Sequence, residues 1–486
     1  MASEEKVTFN IDKNRDFGGW YNEIVAKAGL ADLRYNVKGF VVFMPWSVAS
    51  MKVMYDLWEK ELEKRGHLPA LFPALIPESN FLVEKEHVEG FAPEVFWVTE
   101  RGGGEKLEER LGLRPTSETA MYKMYSMWIR SYNDLPLKIY QSCQVWRHET
   151  KATKPFIRSR EFHWIEAHDV FACREDAEKQ VLEDMEITRI CLLEQLGVPF
   201  LFFERPQWDK FAGADKTFAA DCLMPDGKVL QLPSTHVLGQ NFAKAFEVKY
   251  VDKDGSEKYG WQTCYGPAIS RIFAGVISIH GDSKGLVFPF NVAPKQVVVI
   301  PINFDINPEV KKKAEELEKK LSGRFRVVVD FSDKRPGEKY YYWEMKGVPI
   351  RLEIGPKDLE KKSVVLVRRD TGEKSFVKEK DLTESVEKLG RDLTESLKKK
   401  ALKDFNAKVV EAKSMQEMEK ALSEGKIVRV NFCSLELGAV KCAEEVEKKL
   451  GARVRGKRVD LEEKPSGSCL FCGRKAGVVA YIARQY

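Results

Sequence analysis

The sequence predicts three units in series: an α+β unit built on an antiparallel strand pair (residues 1–290), an α/β unit (291–402) and a small α/β unit carrying a cysteine cluster (403–486). Three observations predict this order. Residues 139–145 and 162–170 read as strands on either side of the loop 151–159, so the chain runs out and back. After Asn291-Val292-Ala293-Pro294, an apolar strand (296–300), a helix (308–321) and a second apolar strand (325–329) make a βαβ unit. From about Lys408 onward the chain holds four of its nine cysteines. A length of 486 residues suits about three domains, each with its own core.

Each element has its own signal. Val48, Met51, Met54, Tyr55, Trp58 and Leu62 recur at helical spacing over 47–65, and Gly66 ends that helix. The stretch 67–77 that follows is extended and punctuated by proline. Thr116-Ser117-Glu118 opens an apolar helix over 119–129, where a hydroxyl can cap the free amides of the first turn. In the strand 162–170, alternation sets Trp164, Glu166 and His168 on one face. An aromatic ring, an acid and a histidine side by side suit a pocket wall better than a core. In the second unit, 340–346, 350–354 and 363–368 continue the α/β pattern, and 382–405 reads as a charged helical connector.

Composition excludes more than it identifies. Apolar residues make up 43% and charged residues 31%, as in a soluble globular protein. Apolar runs such as 40–46 and 296–300 are far too short to cross a bilayer, so no membrane partner is expected. Met1-Ala2-Ser3-Glu4-Glu5-Lys6 lacks the basic-then-apolar pattern of a secretory signal. The expectation is a cytoplasmic protein whose cysteines are reduced thiols or metal ligands. Lys plus Arg number 79 and Asp plus Glu 74, and a net +5 spread along the chain is no nucleic-acid signature.

Chemistry concentrates in two places. Arg147 and Glu149, in Val145-Trp146-Arg147-His148-Glu149, stand where the first strand ends, with Arg158-Ser159-Arg160-Glu161 on the return and Ser270-Arg271 about a hundred residues later. Planar guanidinium forks grip phosphate oxygens in pairs, and two of them near carboxylates suit an attack on the α-phosphate of ATP. Taken alone, an Arg-x-Glu pair is as readily a surface ion pair. No Gly-x-x-x-x-Gly-Lys-Ser/Thr loop occurs, which argues against a P-loop site. The second place is Cys433, Cys442, Cys469 and Cys472. Cys469-Leu470-Phe471-Cys472-Gly473 has the form of a zinc knuckle, and four thiolates predict a structural Zn2+ site. A redox Cys-x-x-Cys and unrelated buried thiols are the other readings. Cys143, Cys173, Cys191, Cys222 and Cys264 are read as free thiols.

Around the arginines the sequence resembles the class II aminoacyl-tRNA synthetases, and more closely the prolyl-tRNA synthetases of archaeal and eukaryotic type. Phe72-Pro73-Ala74-Leu75-Ile76-Pro77 looks like motif 1, Val145 to Trp164 like motif 2, and Gly266-Pro267-Ala268-Ile269-Ser270-Arg271 like motif 3. Leu113-Arg114-Pro115-Thr116-Ser117-Glu118 is similar to the family's Thr-x-Glu loop, Gln231-Leu232-Pro233-Ser234-Thr235-His236 to its Gln-x-x-Thr-x-His segment, and His280-Gly281-Asp282 to the tail after motif 3. Each motif is weak alone; their order over nearly the whole chain is specific.

The resemblance implies a class II catalytic domain with an antiparallel sheet, an anticodon-binding α/β domain and a C-terminal zinc-binding-like domain. It implies a proline–tRNA ligase that makes prolyl-adenylate from L-proline and ATP and transfers it to tRNA(Pro), with Mg2+ bridging the phosphates. Arg147 and Arg271 would be catalytic, the first holding the α-phosphate and the proline carboxylate, the second the γ-phosphate side. Glu149, Arg158, Ser159, Gln231, Ser234 and Ser270 would complete the ATP site. Thr116, Glu118, Trp164, Glu166, His168, Phe211 and His236 would join Arg147 around proline. Motif 1 implies a homodimer through the Pro73 segment. The tail Ile482-Ala483-Arg484-Gln485-Tyr486 resembles family tails that approach the active site, and Arg351 and Glu353 lie where anticodon bases would be read.

Two departures stand out. Ser234 replaces the usual threonine, and motif 3 is one residue long, with Ile269 at the serine position and Ser270 abutting Arg271. No room exists between motifs 2 and 3 for the editing insertion of bacterial-type relatives. A proline slot cannot strongly reject alanine by size, since missing methylenes are worth only about 1–3 kcal/mol. Two other readings stay open: a class II ligase of the same subgroup with a threonine or glycine pocket, and a non-catalytic paralogue that binds tRNA or a partner.

Overall fold

The computed structural model describes residues 11–87, 94–149 and 152–486, without the side chains of 84–87. Met1–Lys6 and the first residue of the loop 151–159 lie outside these. In the first unit the expected helix is α1 (Pro45–Glu63), whose stripe Met51, Met54, Trp58 and Leu62 is fully buried. Each such side chain contributes roughly 1.5–3 kcal/mol of burial free energy. Gly66 then turns the chain with a positive φ of 86° into the short strand β1 (Leu68–Pro69). After α2 (Glu118–Trp128) come β2 (Leu137–Trp146) and β3 (Glu161–Phe171), paired antiparallel over ten residues from Leu137 opposite Val170 to Trp146 opposite Glu161. The out-and-back pair read from the sequence is this one. The helix α3 (Arg174–Thr188) leads into β4 (Leu201–Glu204), β5 (Lys216–Leu223), β6 (Lys228–Gly239), β7 (Trp261–Gly266) and the buried helix α4 (Ile269–His280).

The second unit contains β8 (Val297–Pro301), α5 (Pro308–Ser322), β9 (Val327–Val329), α6 (Pro336–Lys346), β10 (Ile350–Ile354), β11 (Ser363–Arg368) and β12 (Lys374–Lys378). Its sheet runs β9-β8-β10-β11-β12, with β8 parallel to both neighbours as a βαβ unit requires. The connector is α7 (Leu382–Asn406), which lays Leu382 and Val386 into this unit's core and runs unbroken across the boundary expected at 402/403.

The third unit has β13 (Val409–Glu411), α8 (Met415–Ser423), β14 (Ile427–Phe432), α9 (Val440–Leu450), β15 (Arg453–Arg458) and β16 (Val478–Gln485). It does not stand apart from the first. One eleven-stranded sheet runs β13-β14-β16-β15-β4-β5-β6-β7-β3-β2-β1, joined where Lys457 of β15 pairs with Glu204 of β4 and Arg458 with Phe203. The join depends on a glycine. Gly456 has φ of 121°, and a β-carbon there would meet the Glu204 carbonyl oxygen at 2.0 Å. Among the described residues no helix is long and apolar enough to cross a membrane.

Gly456→Ala is therefore expected to push β15 off β4 and to cost at least about 2 kcal/mol, from backbone strain and overpacking together. A thermal midpoint unchanged from the parent protein would contradict this account of the join.

Candidate active site

One rung of the sheet brings much of the site together. His168 of β3 lies opposite Cys264 of β7, Cys264 opposite His236 of β6, and His236 opposite Thr217 of β5. With strands about 4.8 Å apart, these four side chains form a row on one face. Two residues along, Gln141 faces Glu166, and Ser234 faces Gly266. A cavity of about 250 Å³ opens over both rows, bordered by Thr116, Glu118, Arg147, Trp164, Glu166, His168, Phe211, Gln231, Ser234, His236 and Arg271. Alternation thus placed Trp164, Glu166 and His168 correctly on one pocket wall. Gly266 makes room for the first: a β-carbon there would stand 2.7 Å from the Trp164 indole.

The loop before α2 supplies the opposite wall. Arg114 anchors it, donating from Nη1 to Phe72 O at 2.7 Å and from Nε to Gln144 O at 2.9 Å. The cap read from the sequence does not form. Ser117 stands at the N-cap with no side-chain bond to the helix. The hydroxyls turn instead to carboxylates: Thr116 Oγ1 lies 2.8 Å from Glu166 and also meets Glu118, and Ser117 gives Glu166 both its hydroxyl and its N–H. A charged, buried acceptor competes better for these donors than a helix end does.

Burial and pairing set the charges. Burial pushes the Glu118 carboxyl up, His168 pulls it back and Glu166 adds to the rise, leaving it above the usual range. Burial also presses Glu166 upward, but His168, 3.9 Å away, and hydrogen bonds from the Ser117 and Thr116 hydroxyls hold it below that range. His168 is raised, since Glu166 and Glu118 outweigh its desolvation; its Nδ1 lies 2.9 Å from Tyr122 Oη. His236 goes the other way, pushed down to about 3 by burial and then by His168 and Arg205. It is neutral. Thr217 Oγ1 accepts from Phe211 N–H at 2.8 Å and lies 2.9 Å from His236 Nδ1, while His236 Nε2 lies 3.1 Å from Ser234 Oγ, so the neutral ring donates to one hydroxyl and accepts from the other. Phe211 packs beside the His236 ring at 5.0 Å between centroids.

The far side of the cavity is cationic. Arg147 donates from Nε to Pro115 O at 3.0 Å and lies over Trp164 and Phe162, 4.9 and 5.4 Å from the ring centroids. Arg271 donates from Nε to Ile157 O at 3.1 Å; burial, then Arg147 and Arg158, push it down to about 10. A small recess bordered by Arg147, Glu149, Arg158, Ser159 and Arg271 adjoins the main cavity. Within it Arg158 pairs with Glu149 at 3.1 Å, and Ser159 Oγ donates to Glu161 O at 2.6 Å. The C-terminal tail does reach this region: Tyr486 and Gln485 border a chamber of about 220 Å³ together with Arg158, Gln231 and Arg271.

Two expectations change. Ser270, expected at the nucleotide, is fully buried and turned away, its Oγ accepting from His163 N–H at 2.9 Å; the longer motif 3 starts α4 so that Gly266, Ala268 and Arg271 border the cavity and Ser270 does not. Arg351 and Glu353, placed where bases would be read, are paired with each other at 2.9 Å, with Arg351 over the Tyr340 ring at 3.9 Å. Sequence reasoning missed Arg205, Asp209, Thr217 and the pocket role of Cys264, all of which border the cavity. Thr217 and Cys264 enter through strand register, Arg205 from just past the end of β4, and Asp209 from the turn two residues before Phe211, whose place in the pocket was the one local signal for it. Size is no guide either, because a larger groove of about 920 Å³ between α3 and β15 holds none of these residues.

In the third unit the four cysteines come together as expected, their sulfurs all within 4.8 Å. Cys433 Sγ and Cys442 Sγ are 3.7 Å apart. A tetrahedral zinc with bonds of about 2.3 Å sets neighbouring sulfurs about 3.8 Å apart, whereas a disulfide needs about 2 Å. Gly473, at φ of 68°, closes the knuckle by donating to Cys469 O at 2.9 Å. Arg474 beside Cys472 lowers that thiol to about 6 and so favours the thiolate.

Comparison with known proteins agrees along the whole length. Residues 96–280 match the tRNA synthetase class II core domain (G, H, P, S and T), 296–389 the anticodon binding domain, and 415–486 the prolyl-tRNA synthetase C-terminal domain. The proline–tRNA ligase of Thermofilum pendens is 52% identical, covering 100% of both chains. That of Pyrococcus abyssi is 43% identical over 97% of this chain and 98% of its own. A Giardia lamblia prolyl-tRNA synthetase, solved in complex with prolyl-adenylate, superposes with a TM-score of 0.93 at 37% identity, covering 99% of this chain and 100% of its own.

Because Glu166 does most to raise the His168 pKa against its desolvation, Glu166→Gln is expected to lower the His168 midpoint. Titration of the His168 ring nitrogens by NMR reads this directly; an unmoved midpoint would remove Glu166 as its partner.

Proposed function

The chain belongs to the prolyl-tRNA synthetases of class II, which activate L-proline with ATP to prolyl-adenylate and charge tRNA with it, and from that premise we propose how its residues share the work. The observation that carries the assignment is the position of Arg147. It borders both the acidic pocket and the arginine-lined recess.

Proline enters the acidic end. Two carboxyl groups, Glu118 and Glu166, face its ammonium, with His168 beside Glu166, while Trp164, Phe211 and His236 shape the apolar slot. Glu118, His168 and Cys264 bring one polar atom each to within 4.8 Å, and this is where the amine sits. Burial pushes the Cys264 thiol well above its usual range, so it stays a neutral neighbour.

ATP, as its Mg2+ complex, takes the cationic end. Glu149 receives the adenine amino group, Arg158 and Ser159 close over the nucleotide, and Gln231 and Ser234 line it. Arg147 holds the α-phosphate and the proline carboxylate together, two anions that repel each other in water. A carboxylate oxygen attacks the α-phosphorus, the bond from that phosphorus to the bridging oxygen breaks, and pyrophosphate leaves with its charge against Arg271. No covalent enzyme intermediate is needed. Because both guanidiniums are half-buried, their field on the transferring phosphoryl group is stronger than it would be in open water.

The remaining assignments follow the same logic. Cys433, Cys442, Cys469 and Cys472 hold a structural Zn2+, which ties α9 to the knuckle before β16. Leu68 and Leu71, just before motif 1, and Leu75 within it are 65%, 76% and 41% exposed, an apolar strip that a second copy of the chain would cover in a homodimer. The site of action is the cytoplasm, with tRNA(Pro) as the acceptor.

Amino-acid-dependent ATP–pyrophosphate exchange tests the central reading: proline should dominate, with weak alanine exchange, and Arg147→Ala should lose at least about a hundredfold. Exchange led by threonine or glycine, or none at all, would overturn it. The raised Glu118 carboxyl gives a pH signature. Protons compete with the proline ammonium for it, so KM for proline should rise on acidification below neutral pH while KM for ATP does not follow. Metal analysis should find one zinc per chain, and chelation should lower the unfolding midpoint, because the four thiolates repel once the metal is gone.

A further inference from the structure

We propose that the C-terminal unit completes the nucleotide site, with Arg455 a positioning residue that acts through Asp221 and Arg205 on Gln231. The inference rests on the reading of Gln231 as a nucleotide contact.

Asp221 on β5 is fully buried and shared by two buried guanidiniums from different units. Its Oδ1 accepts from Arg205 Nη2 at 2.6 Å and Arg455 Nη2 at 3.2 Å; its Oδ2 accepts from Arg205 Nη1 at 3.0 Å and Arg455 Nε at 2.7 Å. Arg205 Nη1 also donates to the carbonyl of Arg455 at 2.9 Å. Arg205 thus forks onto both oxygens, and the Arg455 fork braces the same carboxylate from the other side. The Arg205 Nη2 also reaches Gln231 Oε1 at 3.0 Å. That bond fixes the amide: with the oxygen held by Arg205, the Gln231 nitrogen is the end left for a ligand's oxygen. Gln231 borders both the main cavity and the chamber beyond Arg271, and Arg455 borders that chamber too.

The consequence is a relay that starts far away in the chain. Arg455 enters only because β15 pairs with β4, and its Nη1 also meets Gln485, next to the tail residue Tyr486. If Arg455 lost its fork, Asp221 and Arg205 would lose the guanidinium that braces their pair from the other unit, and the Arg205 Nη2 that holds Gln231 Oε1 would shift with them. Proline, held at the Glu118 end, would not feel the change. A lysine keeps the charge but cannot bond Asp221 through two nitrogens.

The test is pyrophosphate exchange with Arg455→Lys, Gln231→Ala and the double variant, each checked for the parent thermal midpoint and circular dichroism. Arg455→Lys should raise KM for ATP about tenfold and leave KM for proline within about twofold. In the Gln231→Ala background it should add nothing, because residues acting through one contact are not additive. Arg205→Lys, on the catalytic side of the relay, should give the same pattern if Arg455→Lys does not fold. An unchanged KM for ATP, equal rises for both substrates, or full multiplication in the double variant would overturn the proposal. A parent protein that fails to exchange with proline would instead overturn the functional reading beneath it.

Discussion

A slip of one residue between β3 and β7 would turn Trp164, Glu166 and His168 to the back of the sheet and bring Asp169 forward, since side chains alternate along a strand. The pairing of Cys264 with His168, and of His236 with Cys264, is therefore the constraint on which the site rests. The back face holds the register as firmly as the front. His67 Nε2 lies 3.2 Å from Asp169, and Thr235 Oγ1 donates to Asp184 of α3 at 2.7 Å. A shifted strand would strand these buried polar groups without partners, at about 1–3 kcal/mol each.

Within that frame the charges are sorted rather than merely present. Glu118, Glu166 and His168 stand at one end of the cavity and Arg147, Arg158 and Arg271 at the other. Burial makes each charge expensive unless paired, and the pairs are arranged to leave one sign in excess at each end. A zwitterion with its amine at one end and its carboxylate toward the other, next to a polyphosphate, fits that polarity. The same burial lifts Glu118 and lowers His236, so neighbouring groups of ordinary type carry different protons and different tasks.

The third unit is built into the first by backbone as well as by side chains. Gly456 lets β15 lie against Glu204, and at the β5–β6 turn Gly227 and Gly425 approach so closely that a β-carbon on Gly227 would stand 2.2 Å from Gly425 Cα. Both contacts exist only where side chains are missing. Placed there, Arg455 and the tail Gln485–Tyr486 become part of the wall of the chamber beside Arg271.

Local pattern was enough for much of this. Helical spacing found α1, alternation found the face of β3 that carries Trp164, Glu166 and His168, and the order of short motifs pointed to Arg147, Arg271 and the Thr116–Glu118 loop. Such features are encoded over a few neighbouring residues, where sterics and periodicity act directly. The cap at Ser117 and the contact at Ser270 were misjudged for one reason: each hydroxyl had a partner from a distant segment, Glu166 and the His163 N–H, that bound it better than the local alternative. Arg205, Thr217, Cys264 and Arg455 had no local mark at all. Their roles come from strand register and from one sheet joining two units, and register is settled by the burial of the entire sheet, which no short stretch of sequence contains.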